Sequence, residues 1–217
     1  MSANLIYCLI FYAALVGALT IAEFKEAPVA QRGLKPAAAL GFVLIALMVG
    51  ALDTAYGQII LLGLIACAAG DVLLLSRTSE NLFMAGMAAF ALGHIAYMTA
   101  FISVQMGGLT GGRIVTVMLV ILVGIGIFSW LRPHISHTMR IAVPIYVLII
   151  LAMVIFALGL PLLRPFVFAM LGALFFAVSD IFVARDRFVS PTPLNALAIT
   201  PLYFGAQALI ALSTVGF

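Results

Sequence analysis

Long apolar runs separated by short polar segments make up nearly all of this chain. Each run has roughly 17 to 22 residues, the length that a helix needs to cross a hydrocarbon core about 30 Å thick. Runs such as 37–52 and 141–160 are apolar on every face. The strands of a membrane barrel would alternate in polarity instead, so the pattern predicts membrane-spanning helices.

Eight runs predict an all-α polytopic membrane protein, a bundle of eight transmembrane helices formed by a single domain over residues 1–217. The predicted spans are 5–22, 36–52, 57–75, 82–104, 114–131, 141–160, 165–184 and 194–215. Only residues 53–56 separate the second span from the third, so these two helices must be antiparallel neighbours. The same argument applies to the sixth and seventh spans.

The composition agrees with this class of protein. Of the 217 residues, 66% are hydrophobic and 8% are charged, which excludes a water-soluble globular domain of this length. Cys8 and Cys67 both fall within apolar runs and indicate neither a disulfide framework nor a metal site. We therefore expect no metal and no cofactor.

The basic residues predict the orientation of the chain in the membrane. The loops after odd-numbered spans contain eight of them: Lys25, Arg32, Lys35, Arg77, Arg132, Arg140, Arg185 and Arg187. The even-numbered loops contain only Arg113 and Arg164. By the positive-inside rule, the odd loops face the cytoplasm and both termini lie outside. We expect a bacterial inner membrane location. The net charge of +3 comes from these loop residues, and the sequence shows no basic and aromatic pattern typical of a nucleic-acid partner.

The two halves of the chain resemble each other in polarity. A basic residue opens the second span of each half, Lys35 or Arg140, and the third span of each half carries an aspartate, Asp71 or Asp180. Four spans per half would give a parallel repeat about an axis along the membrane normal, with pseudo-repeats over 1–106 and 107–217. The alternative is a chance alignment, since apolar segments align easily.

Two of the seven acidic residues, Asp71 and Asp180, lie well inside spans, about 6 Å from the cytoplasmic end at ~1.5 Å per residue. The other five lie at span ends or in loops: Glu23, Glu26, Asp53, Glu80 and Asp186. An acid in hydrocarbon is costly, so it marks either a structural pair or a functional site. Two acids at equal depth favour acid–base chemistry in the inner half of the membrane, with one protonated and one ionised.

Other polar residues on the spans are candidates for substrate contact. His94 and Tyr97 share one face of the fourth span, and Tyr203 and Gln207 share one face of the eighth. Ordinary hydrogen bonds between helices would explain all four residues equally well.

Basic residues at the level of the aspartates could bind a phosphate. Lys35, Arg140 and Arg185 are the candidates, with Lys35 and Arg140 expected to contact the substrate, although such side chains commonly extend to lipid headgroups instead. The sequence contains no GxSxG, HExxH, GxGxxG or P-loop motif, so serine-hydrolase, zinc-protease and nucleotide chemistry have no support.

Several short motifs follow one another along the chain in an order typical of one family. They are Lys35-Pro36, Ala69-Gly70-Asp71, Phe90 with Gly93-His94 and Tyr97, Gly172-Ala173-Leu174-Phe175 before Ser179-Asp180, Arg187-Phe188, and Tyr203 with Ala206-Gln207. In these motifs the chain resembles the YhhN-like lysoplasmalogenase family over nearly its whole length.

The resemblance implies an integral membrane hydrolase that cleaves the vinyl ether bond of lysoplasmalogen or a related lysolipid, releasing a fatty aldehyde and a glycerophospho-alcohol. Its partners would be a lysophospholipid substrate and membrane lipids. The acidic pair would be Asp71 and Asp180. We expect Asp180 to donate the proton and Asp71 to activate water, and the reverse assignment is the alternative that the sequence leaves open. The residues expected to line the site are His94, Tyr97, Tyr146, Tyr203 and Gln207.

Two other classes of function stay open from the sequence. Intramembrane acids also relay protons, so a proton-coupled small-molecule transporter or channel is the main alternative. A lipid-binding or scaffold protein without chemistry is the third class, and it would leave the two aspartates without a purpose. Solute flux in proteoliposomes and aldehyde release distinguish the three.

Overall fold

Eight α-helices form a bundle in the computed structural model, which describes residues 3–76, 79–105 and 110–215. The helices are α1 (Ala3–Phe24), α2 (Pro28–Met48), α3 (Ala55–Leu73), α4 (Glu80–Ser103), α5 (Gly111–Leu131), α6 (Ala142–Leu158), α7 (Phe166–Ala184) and α8 (Ala196–Leu212). No strand occurs within these ranges. The predicted all-α polytopic membrane architecture is confirmed. Arg77 and the predicted repeat boundary at 106/107 lie outside the described residues.

Seven stretches in the described part of the chain are long and apolar enough to cross a membrane, and α6 is a shorter apolar helix. With 17 residues, α6 is about 25 Å long at ~1.5 Å per residue. The helix nevertheless packs in the bundle, where α4, α5 and α7 are its neighbours.

Hydroxyl side chains mark where three of the helices begin. Thr54 accepts a hydrogen bond from the Gly57 backbone N–H at 3.0 Å, and Ser79 and Thr110 cap α4 and α5 in the same way. These bonds satisfy backbone donors that the first turn of a helix leaves unpaired.

The start of α2 differs from the sequence prediction. The helix begins at Pro28, so Pro36, which we expected to open the span, lies inside it. Lys35 therefore lies about two turns into a continuous helix, and its backbone position is set by that helix.

Small residues allow the closest helix pairs, α3 with α4 and α7 with α8. A Cβ atom on Gly63 would lie 2.4 Å from the Tyr97 ring on α4, and one on Gly172 would lie 2.9 Å from the Ala206 carbonyl oxygen on α8. Close backbone approach of this kind is typical of membrane helices. It holds α3 and α7, which carry the two aspartates, firmly against their partners.

Candidate active site

A cavity of about 390 Å³ lies inside the bundle, with a mostly apolar wall. Its polar lining residues are Lys35, Asp71, Tyr146, Ser179, Asp180, Thr200 and Tyr203. All seven belong to the end of the bundle where α3 and α7 end and where α2, α6 and α8 begin. The cavity is therefore amphipathic, with polar groups at one end and apolar side chains along the rest.

Part of the apolar wall also faces outward. Leu119 and Val123 on α5 and Val178 on α7 line the cavity, yet their side chains are 57%, 60% and 40% exposed. These three residues form the rim of the cavity on the outer surface of the bundle.

Asp71 lies on α3, two residues before the end of that helix, and is only 3% exposed. The Tyr203 hydroxyl on α8 donates a hydrogen bond of 2.6 Å to Asp71 Oδ2. A short bond of this kind to a carboxyl oxygen fixes the orientation of the acid. Asp71 is therefore a buried acid held in place at the cavity wall.

Asp180 lies on α7, four residues before the end of that helix, with its side chain 14% exposed. The Tyr146 hydroxyl donates to Asp180 Oδ2 at 3.2 Å, and His94 Nε2 is also 3.2 Å from this oxygen. Tyr146 and His94 Nε2 are 3.3 Å apart, so the three groups form a triangle. His94 itself is fully buried and lies behind the cavity wall.

Tyr97 and Gln207 form a second layer that does not reach the cavity. The Tyr97 hydroxyl donates to Gln207 Oε1 at 2.7 Å, and both side chains are fully buried. The Gln207 amide nitrogen has no hydrogen-bond partner among the described residues. The layer packs behind the site, because the rings of Tyr97 and Phe176 are 6.5 Å apart and Phe176 in turn contacts the His94 ring.

Glu23 belongs to the site although the sequence analysis placed it at a span end. Its carboxylate forms an ion pair of 2.9 Å with Lys35 and accepts a hydrogen bond from the Thr200 hydroxyl. Glu23 is 6% exposed, and both of its partners line the cavity. Glu23 and Thr200 are 177 residues apart, so no local spacing pattern could have identified this cluster.

Lys35 and Arg140, which were predicted to contact a substrate phosphate, occupy different environments. Lys35 lines the cavity and is paired with Glu23, whereas Arg140 is exposed in the connection between α5 and α6 and is not part of the cavity lining. The structure thus brings Lys35, Asp71, Asp180, Tyr146 and Tyr203 together and leaves Arg140 apart.

Aromatic residues line the polar end of the cavity. The rings of Phe83 and Phe188, both lining residues, are 6.2 Å apart in an edge-to-face arrangement, and the Arg187 guanidinium carbon lies 4.3 Å from the centre of the Phe83 ring. Phe188 belongs to a π-helical turn, Arg185–Val189, that continues α7. Asn195 bonds to Arg185 and Asp186 and fixes this turn.

Metal binding has no visible basis here. Over residues 3–76, 79–105 and 110–215, no three His, Cys, Asp or Glu side chains cluster as a metal ion would require.

Fold and cavity together define a polytopic helical membrane protein with two carboxyl groups in one largely apolar cavity. The sequence profile of the YhhN family matches residues 30–214, and the chain belongs to this family. The resemblance noted from the sequence motifs is thereby confirmed.

Curated relatives of the chain carry one activity in their names. Lysoplasmalogenase TMEM86A of Bos taurus is 36% identical over 162 residues, which cover 72% of this chain and 65% of the relative. Lysoplasmalogenase TMEM86B of Homo sapiens is 34% identical over 160 residues, covering 74% and 65%. Lysoplasmalogenase of Mycobacterium tuberculosis is 30% identical over 156 residues, covering 71% and 58%. The chain thus spans less than two thirds of the length of these relatives, and no solved structure is significantly similar to it.

Proposed function

We propose that this protein is an integral membrane hydrolase that cleaves the vinyl ether bond of lysoplasmalogen, or of a related lysolipid, to a fatty aldehyde and a glycerophospho-alcohol. One observation carries the proposal: Asp71 and Asp180 line the same largely apolar cavity. The names of the relatives support the choice of substrate.

Cleavage begins with a proton transfer. A vinyl ether accepts a proton on the alkene carbon farther from oxygen, and the electron pair of the double bond forms the new C–H bond. The product is an oxocarbenium ion. We assign this proton to Asp180, whose side chain is partly open to the cavity and is held by Tyr146.

Water then completes the reaction. Its oxygen bonds to the oxocarbenium carbon while its proton passes to Asp71, which gives a hemiacetal. Asp71 returns that proton to the ether oxygen as the carbon–oxygen bond breaks, and Asp180 takes the proton of the hemiacetal hydroxyl. The aldehyde and the alcohol leave, and both carboxyl groups regain their starting states.

The shape of the cavity suits a lipid with one hydrocarbon chain. The chain would lie along the apolar wall formed by α5, α6 and α7, and the headgroup would lie at the polar end. Lys35 is the basic lining residue there, and its ammonium group can donate to a phosphate oxygen while the ion pair with Glu23 holds it in place.

We also propose that the polar end of the cavity faces the cytoplasm of a bacterial inner membrane and that both termini lie outside. The excess of Lys and Arg in the odd-numbered loops supports this orientation.

The test is aldehyde release from lysoplasmalogen by the purified protein in detergent. Asp71→Asn and Asp180→Asn should each lower kcat by about 10²- to 10⁴-fold, the usual contribution of an acid or base. Glu80→Gln is the matched control, because Glu80 is exposed at the start of α4.

Two results would contradict the proposal. Folded aspartate variants that keep full activity would exclude the acid–base pair. Solute or proton flux in proteoliposomes without any aldehyde release would favour a transporter.

A further inference from the structure

We propose that His94 and Asp180 share one proton and that His94 is the positioning residue that keeps this proton at the cavity wall. The proposal rests on the proposed function for its role in turnover. The shared proton itself follows from the partners of the imidazole ring.

The first nitrogen of the ring faces a sulfur atom. His94 Nδ1 lies 3.3 Å from Met153 Sδ, and the ring is fully buried. A thioether has lone pairs and no hydrogen to donate, so the contact is favourable only when Nδ1 carries a proton. An unprotonated Nδ1 would place two lone pairs against each other away from water.

The second nitrogen faces the acid. His94 Nε2 lies 3.2 Å from Asp180 Oδ2 and 3.3 Å from the Tyr146 hydroxyl. With Nδ1 protonated, a neutral imidazole leaves Nε2 as an acceptor, and an acceptor cannot stably face an ionised carboxylate. One proton must therefore lie between the two groups. It belongs either to a neutral Asp180 that donates to Nε2 or to an imidazolium that donates to the carboxylate.

The other groups around the ring do not supply this proton. Tyr146 has a single hydroxyl hydrogen, which donates to Asp180 Oδ2 or to His94 and so satisfies one of them at a time. Phe176 covers the ring with its centre 4.4 Å away. Across the described ranges, no Lys or Arg forms an ion pair with Asp180. The basic side chain that contacts its carboxyl group is His94.

A histidine at this position does what a permanent cation could not do. Arg or Lys would keep Asp180 ionised at every stage, whereas His94 can return the proton to the carboxyl group. Asp180 reaches the cavity and His94 does not, so the proton leaves from the Asp180 carboxyl group. After the transfer, the ionised carboxylate faces a neutral imidazole only for a short time. The Tyr146 hydroxyl donates to the carboxylate until the hemiacetal proton restores the pair.

The decisive experiment is ¹⁵N NMR of the histidine ring in the full-length protein. His134→Gln and His137→Gln replace two exposed loop histidines, so the only labelled imidazole left is that of His94. We expect a ring that is protonated at Nδ1, either neutral or doubly protonated. A ring protonated only at Nε2 would overturn the proposal, whatever the activity of the protein.

Two further variants test the partners. Met153→Leu removes the sulfur at similar size, so the ring should shift toward protonation at Nε2, and an unchanged spectrum would contradict the argument from Nδ1. His94→Gln should lower kcat by about 10²-fold with little change in KM. Unchanged kcat in a folded variant would refute the positioning role.

The NMR result and the reaction can fail separately. A shared proton in a protein that releases no aldehyde would support the pair and reject the proposed hydrolysis. Aldehyde release from a protein whose His94 ring is protonated only at Nε2 would support the proposed hydrolysis and reject the shared proton.

Discussion

At the scale of single residues, Glu23 connects three helices through one carboxylate. It pairs with Lys35 on α2 and accepts a hydrogen bond from Thr200 on α8, while lying in the last turn of α1. Its partners line the cavity, so its effect on a substrate is indirect.

Removing the charge of Glu23 should affect both stability and binding. Glu23→Gln removes the carboxylate that pairs with Lys35 at 2.9 Å, and we expect a loss of about 1–3 kcal/mol of unfolding free energy and a raised KM. The double variant with Lys35→Met should lose less than the sum of the two single variants, because it removes both charges of the ion pair together. Thermal unfolding and KM are measured for the wild type, the two single variants and the double variant. Strictly additive losses of stability would show that the two residues act independently.

The hydrogen bond from Tyr203 to Asp71 allows a second prediction. Tyr203→Phe removes the hydroxyl but keeps the ring, so we expect a loss of about 1 kcal/mol in stability and a clear fall in kcat. Tyr12→Phe is the matched control, because Tyr12 is not a lining residue of the cavity and its hydroxyl donates a buried bond of 2.8 Å to the Phe204 carbonyl. It should lose similar stability at unchanged kcat. Equal effects of the two variants on kcat would argue against a role for the Asp71 contact.

At the scale of helices, glycines fix the distance between α3 and α4. A Cβ atom on Gly63 would lie 2.4 Å from the Tyr97 ring and 3.1 Å from the Gly93 carbonyl oxygen. Gly63→Ala should therefore separate the helices and cost about 1–3 kcal/mol. On α1, Gly17 has open space within 4 Å, so Gly17→Ala should be neutral or stabilising by up to ~1 kcal/mol. Thermal unfolding in detergent compares the two variants, and equal stabilities would contradict the packing argument.

Hydropathy predicted the helices well because the hydrocarbon core selects apolar runs of the right length. It failed at the start of α2, where the polar segment before Pro36 is helical but was assigned to a loop. An apolar run marks the part of a helix that lies in hydrocarbon, not the residue at which the helix begins.

The candidate site was predictable only in part. Asp71 and Asp180 were recognisable because an acid inside a span is rare. The resemblance to the family also named His94, Tyr146 and Tyr203 as site residues. Which acid each of them contacts was not predictable, because α6 and α7 are apolar on all sides and the sequence does not indicate which face of each helix points inward. The contact between Asp180 and Tyr146 depends on that rotation.

At the scale of the whole molecule, each half of the chain supplies a side chain that contacts the aspartate of the other half. Asp180 follows Asp71 by 109 residues, and Tyr203 follows His94 by the same 109 residues. Tyr203 of the second half bonds to Asp71 of the first, and His94 of the first half contacts Asp180 of the second. We propose that this arrangement reflects the parallel duplication expected over 1–106 and 107–217.

Orientation in the membrane is testable on the intact protein. In a background of Cys8→Ala and Cys67→Ala, Arg164→Cys should react with a membrane-impermeant thiol reagent added outside. Arg140→Cys should react only after the membrane is permeabilised. Both side chains are exposed at opposite ends of α6, so each site is accessible once the reagent reaches its side. The reverse pattern would place the polar end of the cavity outside.

The outward-facing rim formed by Leu119, Val123 and Val178 determines how a lipid would meet the carboxyl groups. A molecule already dissolved in the bilayer could slide between α5 and α7 by diffusion in two dimensions, without passing through water. Occupancy would then follow the mole fraction of the lipid among its neighbours. Adding inert phospholipid would slow turnover even when the total amount of substrate stays the same.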